Sequence, residues 1–135
     1  MRRIVTLTMN PAIDKSASVD HVAPDRKLRC KPPRFDPGGG GVNVSRVVAT
    51  LGGETSAWYS CGGPTGELYR QLCERLPIDH HPLPIEGWTR ENFIVVEEAS
   101  DRLYRFGMPG PELSEAEWRR PLDEISSLDP APGFV

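Results

Sequence analysis

The sequence predicts an α/β fold in which parallel strands are covered by helices. Three observations lead to this prediction: a strand-like apolar run at residues 4–9, a helix-like run after the glycines at 38–41, and a second strand and helix pattern at residues 55–76. Strands that alternate with helices are typical of parallel sheets with helices on their faces. At 135 residues, 38% of them hydrophobic, the chain is long enough to bury a core.

The first predicted strand is the run of apolar and Thr residues at 4–9, a pattern that indicates burial on both faces. Asn10 and Pro11 end this run too early for a secretory signal peptide, although two arginines precede it. Residues 15–35 then carry short alternating pieces interrupted by prolines. Because proline cannot donate to a sheet ladder, these pieces are predicted as edge strands beside the main sheet.

Four consecutive glycines, residues 38–41, precede the first predicted helix. That helix is predicted to bury one apolar stripe and to end at Gly52 and Gly53. The stripe follows i, i+3, i+4 and i+7 spacing and consists of Val44, Val47, Val48 and Leu51.

Glycine backbone at the start of a helix can bind a ligand. Glycine permits positive φ and close approach of a ligand, and the first helical turn offers unpaired N–H groups with a partial positive charge. The stretch therefore indicates a site for an oxygen-rich, often anionic ligand. It matches neither GxxxxGK[ST] nor GxGxxG. A tight structural turn explains the glycines equally well.

The second strand and helix unit begins with a strand at residues 55–60. A glycine turn at 62–66 follows, in which Thr65 is predicted to cap the next helix. The apolar side of that helix is predicted to consist of Leu68, Leu72 and Leu76.

Two β-rich runs at residues 92–96 and 102–106 surround the segment EEASD and predict a hairpin. Charged residues alternate with apolar ones in it, so the hairpin is expected to cover another surface or to pair with a partner chain.

The third helix has the most complete start signal, because Ser114 and Glu117 form a capping-box pattern. Its apolar stripe is predicted to comprise Trp118, Leu122 and Ile125. A new strand is predicted to open near Phe134. We therefore expect the chain to be the N-terminal part of a larger fold.

Composition excludes several classes of function. The net charge is −3 and no block of Lys and Arg stands apart, which argues against general nucleic-acid binding. No apolar run approaches the length of a membrane span.

Metal and disulfide sites are not indicated either. Cys30, Cys61 and Cys73 are odd in number and lack CxxC spacing, so they are interpreted as reduced, mostly buried thiols of a cytoplasmic protein. His80 and His81 are adjacent and would point to opposite sides of an extended chain, so they are assigned to the surface rather than to a metal site.

Five motifs occur in an order that resembles the ribokinase-like (PfkB) family of sugar kinases. They are TLTMNPAID, PGGGGVNVSRVVATLGG, GGPTGE, WTREN and YRFGMPGPEL. The resemblance implies a ribokinase-like three-layer αβα sandwich, of which residues 1–135 form the N-terminal part of one domain. It also implies a small β-sheet lid formed by segments at about 15–36 and 91–107.

The resemblance also assigns roles to individual residues. It implies that Asp14 accepts hydrogen bonds from sugar hydroxyls, with an Asx-type turn as the structural alternative. The other implied contacts are the loop against the sugar (Gly38, Gly39, Gly40 and Gly41), a polar side chain at the helix start (Asn43), two phosphate-binding arginines (Arg90 and Arg105) and a nucleotide-binding lysine (Lys27). For each arginine the structural alternative is a solvated strand residue.

The implied activity is the ATP- and Mg²⁺-dependent phosphorylation of fructose 6-phosphate to fructose 1,6-bisphosphate by a cytoplasmic homodimer that pairs through its lids. Family members carry the catalytic base in a later GAGD-like segment, which these 135 residues lack. We therefore expect no catalytic residue and no kinase activity in this chain alone.

Three alternative functions remain open. Kinases of fructose 1-phosphate or tagatose 6-phosphate resemble the chain too, but they carry a lysine where this sequence has Gly40. A non-catalytic module that binds a sugar phosphate is the second. A nicotinamide-binding domain is the third, and the absence of GxGxxG after the first strand argues against it.

Overall fold

The computed structural model describes residues 3–135, which form two sheets and three helices. The elements in chain order are β1 (Ile4–Thr8), β2 (Ala12–Val19), β3 (Arg34–Gly38), α1 (Gly40–Thr50), β4 (Thr55–Cys61), α2 (Gly63–Glu74), β5 (Asp79–Pro84), β6 (Arg90–Glu97), β7 (Arg102–Phe106) and α3 (Glu115–Ser126).

Sheet A is fully parallel, with strand order β1-β4-β5. Ala57 and Tyr59 of β4 pack in one core cluster with Val42 of α1 and Tyr69 of α2. Trp58 lies between them in sequence and packs in a second cluster, which contains Ile125 of α3. Because successive side chains of a strand point to opposite faces, helices cover both faces of this sheet. The predicted α/β layer architecture is confirmed.

Sheet B is mixed and has the order β3-β2-β6-β7. Strands β6 and β7 form the predicted hairpin, with Phe93 opposite Phe106. The prediction that residues 15–35 form edge strands is correct for β3, which carries Pro37 at the edge. It is wrong for β2, because β6 returns from far along the chain and pairs with its other side. Residues 20–33 form a loop without a strand.

Helix α1 buries a different face from the predicted one. Val44, Val47 and Leu51 are 50%, 58% and 81% exposed, whereas Val42 and Ser45 are buried. The Ser45 hydroxyl forms hydrogen bonds with side chains of β1 and β4, at 2.9 and 2.8 Å. A buried serine counts as polar in a hydrophobic pattern. The spacing of apolar residues therefore predicted the wrong buried face of α1.

Helix α2 starts earlier than predicted, with Gly62 as its N-cap. Thr65 therefore lies inside the helix and does not cap it; its hydroxyl donates to the carbonyl oxygen of Thr89 at 2.6 Å. The predicted apolar side is confirmed: Leu72 is buried, and Leu68 and Leu76 pack against the same cluster.

Helix α3 begins with the predicted capping box between Ser114 and Glu117. Its predicted stripe is only partly correct. Ile125 is buried, but Trp118 and Leu122 are exposed, and Pro121 is buried in their place.

Strand β5 was not predicted. Its histidines lie on opposite sides, as expected for an extended chain. Both residues are half-buried, and 44% of the His81 side chain is exposed, so their assignment to the surface is only partly correct. His80 forms a 2.9 Å hydrogen bond with the Tyr59 hydroxyl, and His81 stacks on Trp58 at 4.6 Å between ring centroids.

Prolines occupy the free edge of β5. Ile85 N–H donates to the carbonyl oxygen of Cys61 on β4, so the alternation of a parallel strand points Pro82 and Pro84 away from β4. The outer edge of sheet A therefore lacks backbone donors at these positions. At the opposite edge, a parallel bridge joins Ile4 to Phe134, where a strand was predicted to open.

The three cysteines are free and differ in exposure. Cys73 is buried, Cys61 is half-buried and Cys30 is exposed, so the expectation of mostly buried thiols is wrong for Cys30. It lies in the open loop between β2 and β3. In residues 3–135, no helix has both the length and the apolar character that a bilayer crossing requires.

Candidate functional site

The four glycines form the passage from strand β3 into helix α1. Gly38 is the last residue of β3, Gly39 is the N-cap, and α1 begins at Gly40. Gly39 has a φ of 138°, a conformation that residues with side chains rarely adopt. The predicted glycine-rich entry into a helix is confirmed, but Gly40 and Gly41 belong to the helix itself.

Three of these glycines are in close contact with the protein itself. A Cβ on Gly38 would overlap the Asp14 carboxylate, and one on Gly41 would lie 2.5 Å from the Thr8 hydroxyl. A Cβ on Gly39 would lie 2.8 Å from the Thr8 methyl group. Gly40 is exposed, and its Cβ would have no neighbour within 4 Å. Internal packing therefore accounts for three glycines, and Gly40 leaves space for a ligand.

No side chain of the N-cap or first turn neutralises the partial positive charge at the start of α1. Gly39 provides no side-chain cap, and the first turn contains no acidic residue. The Asn43 N–H makes the helical hydrogen bond to the Gly39 carbonyl at 3.0 Å, so the preceding amides have no acceptor within the helix. The Thr8 hydroxyl beside them is buried without a hydrogen-bond partner. These donors suit an anionic or oxygen-rich group.

Asp14 lies at the centre of a polar row across sheet B. The strand register places it between Asp36 of β3 and Asn92 of β6. Asn92 Nδ2 donates to Asp14 Oδ1 at 3.1 Å, and Asn92 Oδ1 accepts from the Met108 N–H at 3.1 Å. The side-chain amide of Asn92 therefore connects the Asp14 carboxylate to the segment after β7. Asp36 is paired with Arg34 at 2.7 Å.

Asp14 and Arg105 line one cavity of ≈ 180 Å³. Asn92 and Gly107 contribute to its wall, together with the apolar residues Phe93, Ile94 and Phe106. The cavity is smaller than the roughly 300–1,000 Å³ typical of pockets for drug-sized ligands, so it suits a small polar molecule. It combines a hydrogen-bond acceptor with an exposed guanidinium.

Arg90 does not line this cavity. Its two terminal nitrogens donate to backbone carbonyls, Nη1 to Met108 at 3.0 Å and Nη2 to Asn10 at 3.2 Å. Its Nε is buried without a hydrogen-bond partner. Arg90 therefore ties the turn after β1 to the segment after β7.

The two other predicted contacts lie on exposed positions. Asn43 is exposed in the first turn of α1, beside the glycines. Lys27 is exposed in the loop between β2 and β3, rather than in the strand expected for it, and it does not line the Asp14 cavity.

Sequence reasoning missed two residues at this site. The sequence places Asn92 only in the WTREN motif and at the start of a predicted strand, and it places Tyr69 only within a predicted helix. The Tyr69 hydroxyl donates to the Gly38 carbonyl at 2.9 Å. Strand alternation places Asn92 on the same face as Arg90, which was the available signal. No local signal identifies the partner of a buried helical tyrosine.

Among residues 3–135, no group of three or more His, Cys, Asp or Glu side chains could hold a metal ion.

Residues 4–129 match the model of the pfkB family of carbohydrate kinases. The chain belongs to this family. Its sheets and helices correspond to the N-terminal part of the ribokinase-like PfkB fold, as expected. Similar chains include the ATP-dependent 6-phosphofructokinase isozyme 2 of Mycobacterium tuberculosis, which is 47% identical over 133 residues.

A solved PfkB structure and a more distant relative extend this comparison. The crystal structure of phosphofructokinase-2 from Escherichia coli in complex with fructose-6-phosphate has a TM-score of 0.89, shares 41% identity and matches 95% of this chain. The 1-phosphofructokinase of Xanthomonas campestris is 29% identical over 124 residues, which are 92% of this chain and 39% of that protein.

This PfkB chain is much shorter than its relatives. The matched region is 98% of this chain but 39% of the M. tuberculosis protein, and it is 42% of the E. coli structure.

Proposed function

We propose that this chain forms the sugar-phosphate-binding part of an ATP-dependent 6-phosphofructokinase. The complete enzyme would convert fructose 6-phosphate and MgATP to fructose 1,6-bisphosphate and ADP. The observation that carries this proposal is that Asp14 and Arg105 line one cavity of sheet B. The names of the relatives at 47% and 41% identity support this substrate.

The charges at the cavity suggest how the sugar phosphate binds. An ionised Asp14 accepts hydrogen bonds from hydroxyl groups and repels a phosphate. Arg105 attracts the phosphate and can bind it through two N–H groups. The sugar therefore lies with its hydroxyls at Asp14 and its phosphate toward Arg105.

The glycine loop completes the binding site. The backbone from Gly38 to Gly41 approaches the sugar, with Gly40 leaving room for it, and the Asn43 side chain adds a polar contact at the helix start. Arg90 is the second phosphate ligand: each terminal nitrogen carries another hydrogen besides the one given to a backbone carbonyl. Holding the sugar in a fixed orientation is a large part of catalysis of phosphoryl transfer.

The nucleotide half of the reaction is proposed to depend on residues outside this chain. Lys27 is the proposed contribution of this chain to nucleotide binding, and ATP would be held with Mg²⁺ elsewhere. Because the sequence contains no GAGD-like segment, the 135 residues alone transfer no phosphoryl group. Their own contribution is to bind and orient the sugar phosphate.

Sheet B is the proposed lid, and two copies of it pair in a homodimer. Phe93 and Phe106 are register partners and are 37% and 52% exposed, so they present apolar surface that a second lid would cover. The free thiols agree with a cytoplasmic location.

The test is a chimera that joins this chain to the remaining part of the E. coli relative. We expect phosphorylation of fructose 6-phosphate to exceed that of fructose 1-phosphate and tagatose 6-phosphate, and no activity from the 135 residues alone. A Gly40→Lys variant is the matched comparison, because those other kinases carry lysine there and Gly40 has room for a side chain.

A preference for fructose 1-phosphate or tagatose 6-phosphate by the unaltered chimera would contradict the proposed substrate. Tight binding of fructose 6-phosphate by a folded, inactive chimera would instead favour a non-catalytic module. Light scattering of the chimera tests the dimer, which Phe106→Ser should weaken.

A further inference from the structure

Tyr69 makes a buried hydrogen bond to the glycine loop. The side chain lies on α2 and is fully buried, and its hydroxyl donates to the carbonyl oxygen of Gly38 at 2.9 Å. Burial raises the pKa of Tyr69 above its ordinary range, so the hydroxyl keeps its proton and remains a donor. Gly38 is itself buried, and a buried carbonyl that loses its donor is costly.

This hydrogen bond fixes one peptide plane at the site. The Gly38 carbonyl belongs to the peptide that joins Gly38 to Gly39, and Gly39 follows with a φ of 138°. Two consecutive glycines offer little steric resistance to rotation of that peptide. The orientation of this peptide sets the direction of the Gly39 N–H immediately before α1, and Gly38 itself lies against the Asp14 carboxylate.

A second tyrosine in the same core has a different partner. Tyr59 lies edge-on to Tyr69, with ring centroids 5.0 Å apart and an interplanar angle of 69°. It is also fully buried, but its hydroxyl bonds to His80 on β5, away from the glycines. The two hydroxyl groups therefore lie in the same core but form hydrogen bonds with different elements: that of Tyr69 with the glycine loop, and that of Tyr59 with β5.

We infer that Tyr69 is a positioning residue for the sugar-phosphate site, which acts by holding the Gly38–Gly39 peptide of the glycine loop. The inference rests on the proposed function for the identity of the ligand. The contact between α2 and the loop stands independently of it.

The experiment compares Tyr69→Phe with Tyr59→Phe in the 135-residue chain, because each variant removes one buried hydroxyl and no ring. Amide hydrogen exchange of residues 39–42 is measured without ligand, and fructose 6-phosphate is titrated calorimetrically. Thermal unfolding shows whether the two variants lose comparable stability.

For Tyr69→Phe we expect faster exchange at residues 39–42 and about tenfold weaker binding of fructose 6-phosphate, as for loss of one buried hydrogen bond. For Tyr59→Phe we expect neither effect. Equal exchange and equal binding in the two variants would overturn the inference.

Two further outcomes remain decisive. If the unaltered chain does not bind fructose 6-phosphate, the proposed function is contradicted, and the exchange at residues 39–42 still decides the role of Tyr69. If Tyr69→Phe does not fold, the ring ¹³Cζ resonances of Tyr69 and Tyr59 are followed in the unaltered chain. The Tyr69 resonance should move when fructose 6-phosphate is added, and the Tyr59 resonance should not; equal responses in a chain that binds the sugar would refute the inference.

Discussion

Asp14 and Asn92 face each other across strands β2 and β6, and Asn92 Nδ2 donates to Asp14 Oδ1 at 3.1 Å. The Asn92→Asp variant replaces this donor with a second carboxylate. Because the change removes the hydrogen bond and sets two carboxylates against each other, we expect it to lower the free energy of unfolding by about 1–3 kcal/mol. Asp36→Asn changes the register neighbour on the other side, whose partner is the exposed Arg34, and should cost less than about 1 kcal/mol. Urea denaturation compares the two variants, and equal losses would contradict the contribution of the Asn92–Asp14 hydrogen bond.

Gly38 and Gly40 should respond oppositely to alanine. In Gly38→Ala the new methyl group overlaps the Asp14 carboxylate and lies 3.1 Å from the Ala12 carbonyl oxygen. We expect a loss of about 1–3 kcal/mol in the free energy of unfolding, as for overpacked cores. Gly40→Ala meets open space and should be neutral or stabilising by up to about 1 kcal/mol. Urea denaturation of both variants makes the comparison, and equal losses would refute it.

Arg90 and Arg105 are both proposed phosphate ligands, but they should differ in their contribution to stability. Arg90→Gln removes two hydrogen bonds to backbone carbonyls, so the chain should lose roughly 1.5–3 kcal/mol of stability. Arg105→Gln changes an exposed residue and should stay within about 0.5 kcal/mol.

The proposed phosphate contact predicts that Arg105→Gln weakens binding of fructose 6-phosphate and leaves binding of fructose itself unchanged. Calorimetric titrations with the two sugars provide the measurement. An equal effect on both sugars would show that Arg105 does not contact the phosphate.

The cysteines should react with iodoacetamide in order of exposure. Cys30 is exposed, burial raises the pKa of the half-buried Cys61, and burial raises the pKa of Cys73 to about 11. Since the thiolate is the reactive form, we expect rapid labelling of Cys30 at pH 8, slower labelling of Cys61 and none of Cys73 in the folded chain. Peptide mass spectrometry follows each site, and labelling in denaturant is the control. Native labelling of Cys73 as fast as Cys30 would contradict the packing of α2.

Glu117 should contribute to the acid sensitivity of the fold. Backbone N–H groups of Glu86 and Ser114 donate to its carboxylate and lower its pKa. A carboxyl group with a lower pKa in the folded chain stabilises the fold above its unfolded pKa, and this stabilisation is lost as the pH falls through the folded value.

Stability should therefore decline on acidification below about pH 4.5, and less steeply in Glu117→Gln. Asp123→Asn, a change at an exposed carboxylate of the same helix, serves as the control. Thermal unfolding between pH 3 and pH 7 tests this. Identical slopes for Glu117→Gln and the unaltered chain would count against the capping contribution.

Local signals predicted the elements that depend on local contacts. The capping box of α3 involves two residues three apart, so its start could be read from the sequence. The buried face of α1 could not, because Ser45 is buried through hydroxyl partners on β1 and β4 that a hydrophobic pattern does not represent. Strand β5 escaped prediction because Pro82 and Pro84 interrupt its pattern.

The site shows the same limit. Asp14 and Arg105 are far apart in sequence and meet because β2 pairs with β6 and β6 with β7. No spacing rule gives that pairing, and the family resemblance supplied it. The glycines were correctly linked to a helix start. Sequence alone could not distinguish Gly40, which faces open space, from Gly38, which lies against the Asp14 carboxylate.

The prolines of β5 make the two edges of sheet A unequal as pairing partners for a further strand. At that margin Pro82 and Pro84 cannot donate hydrogen bonds to an incoming strand, whereas at β1 the Val5 N–H already donates to the Phe134 carbonyl at 3.0 Å. A neighbouring molecule therefore cannot readily add a strand beside β5, which disfavours open-ended fibres that grow through this edge of sheet A.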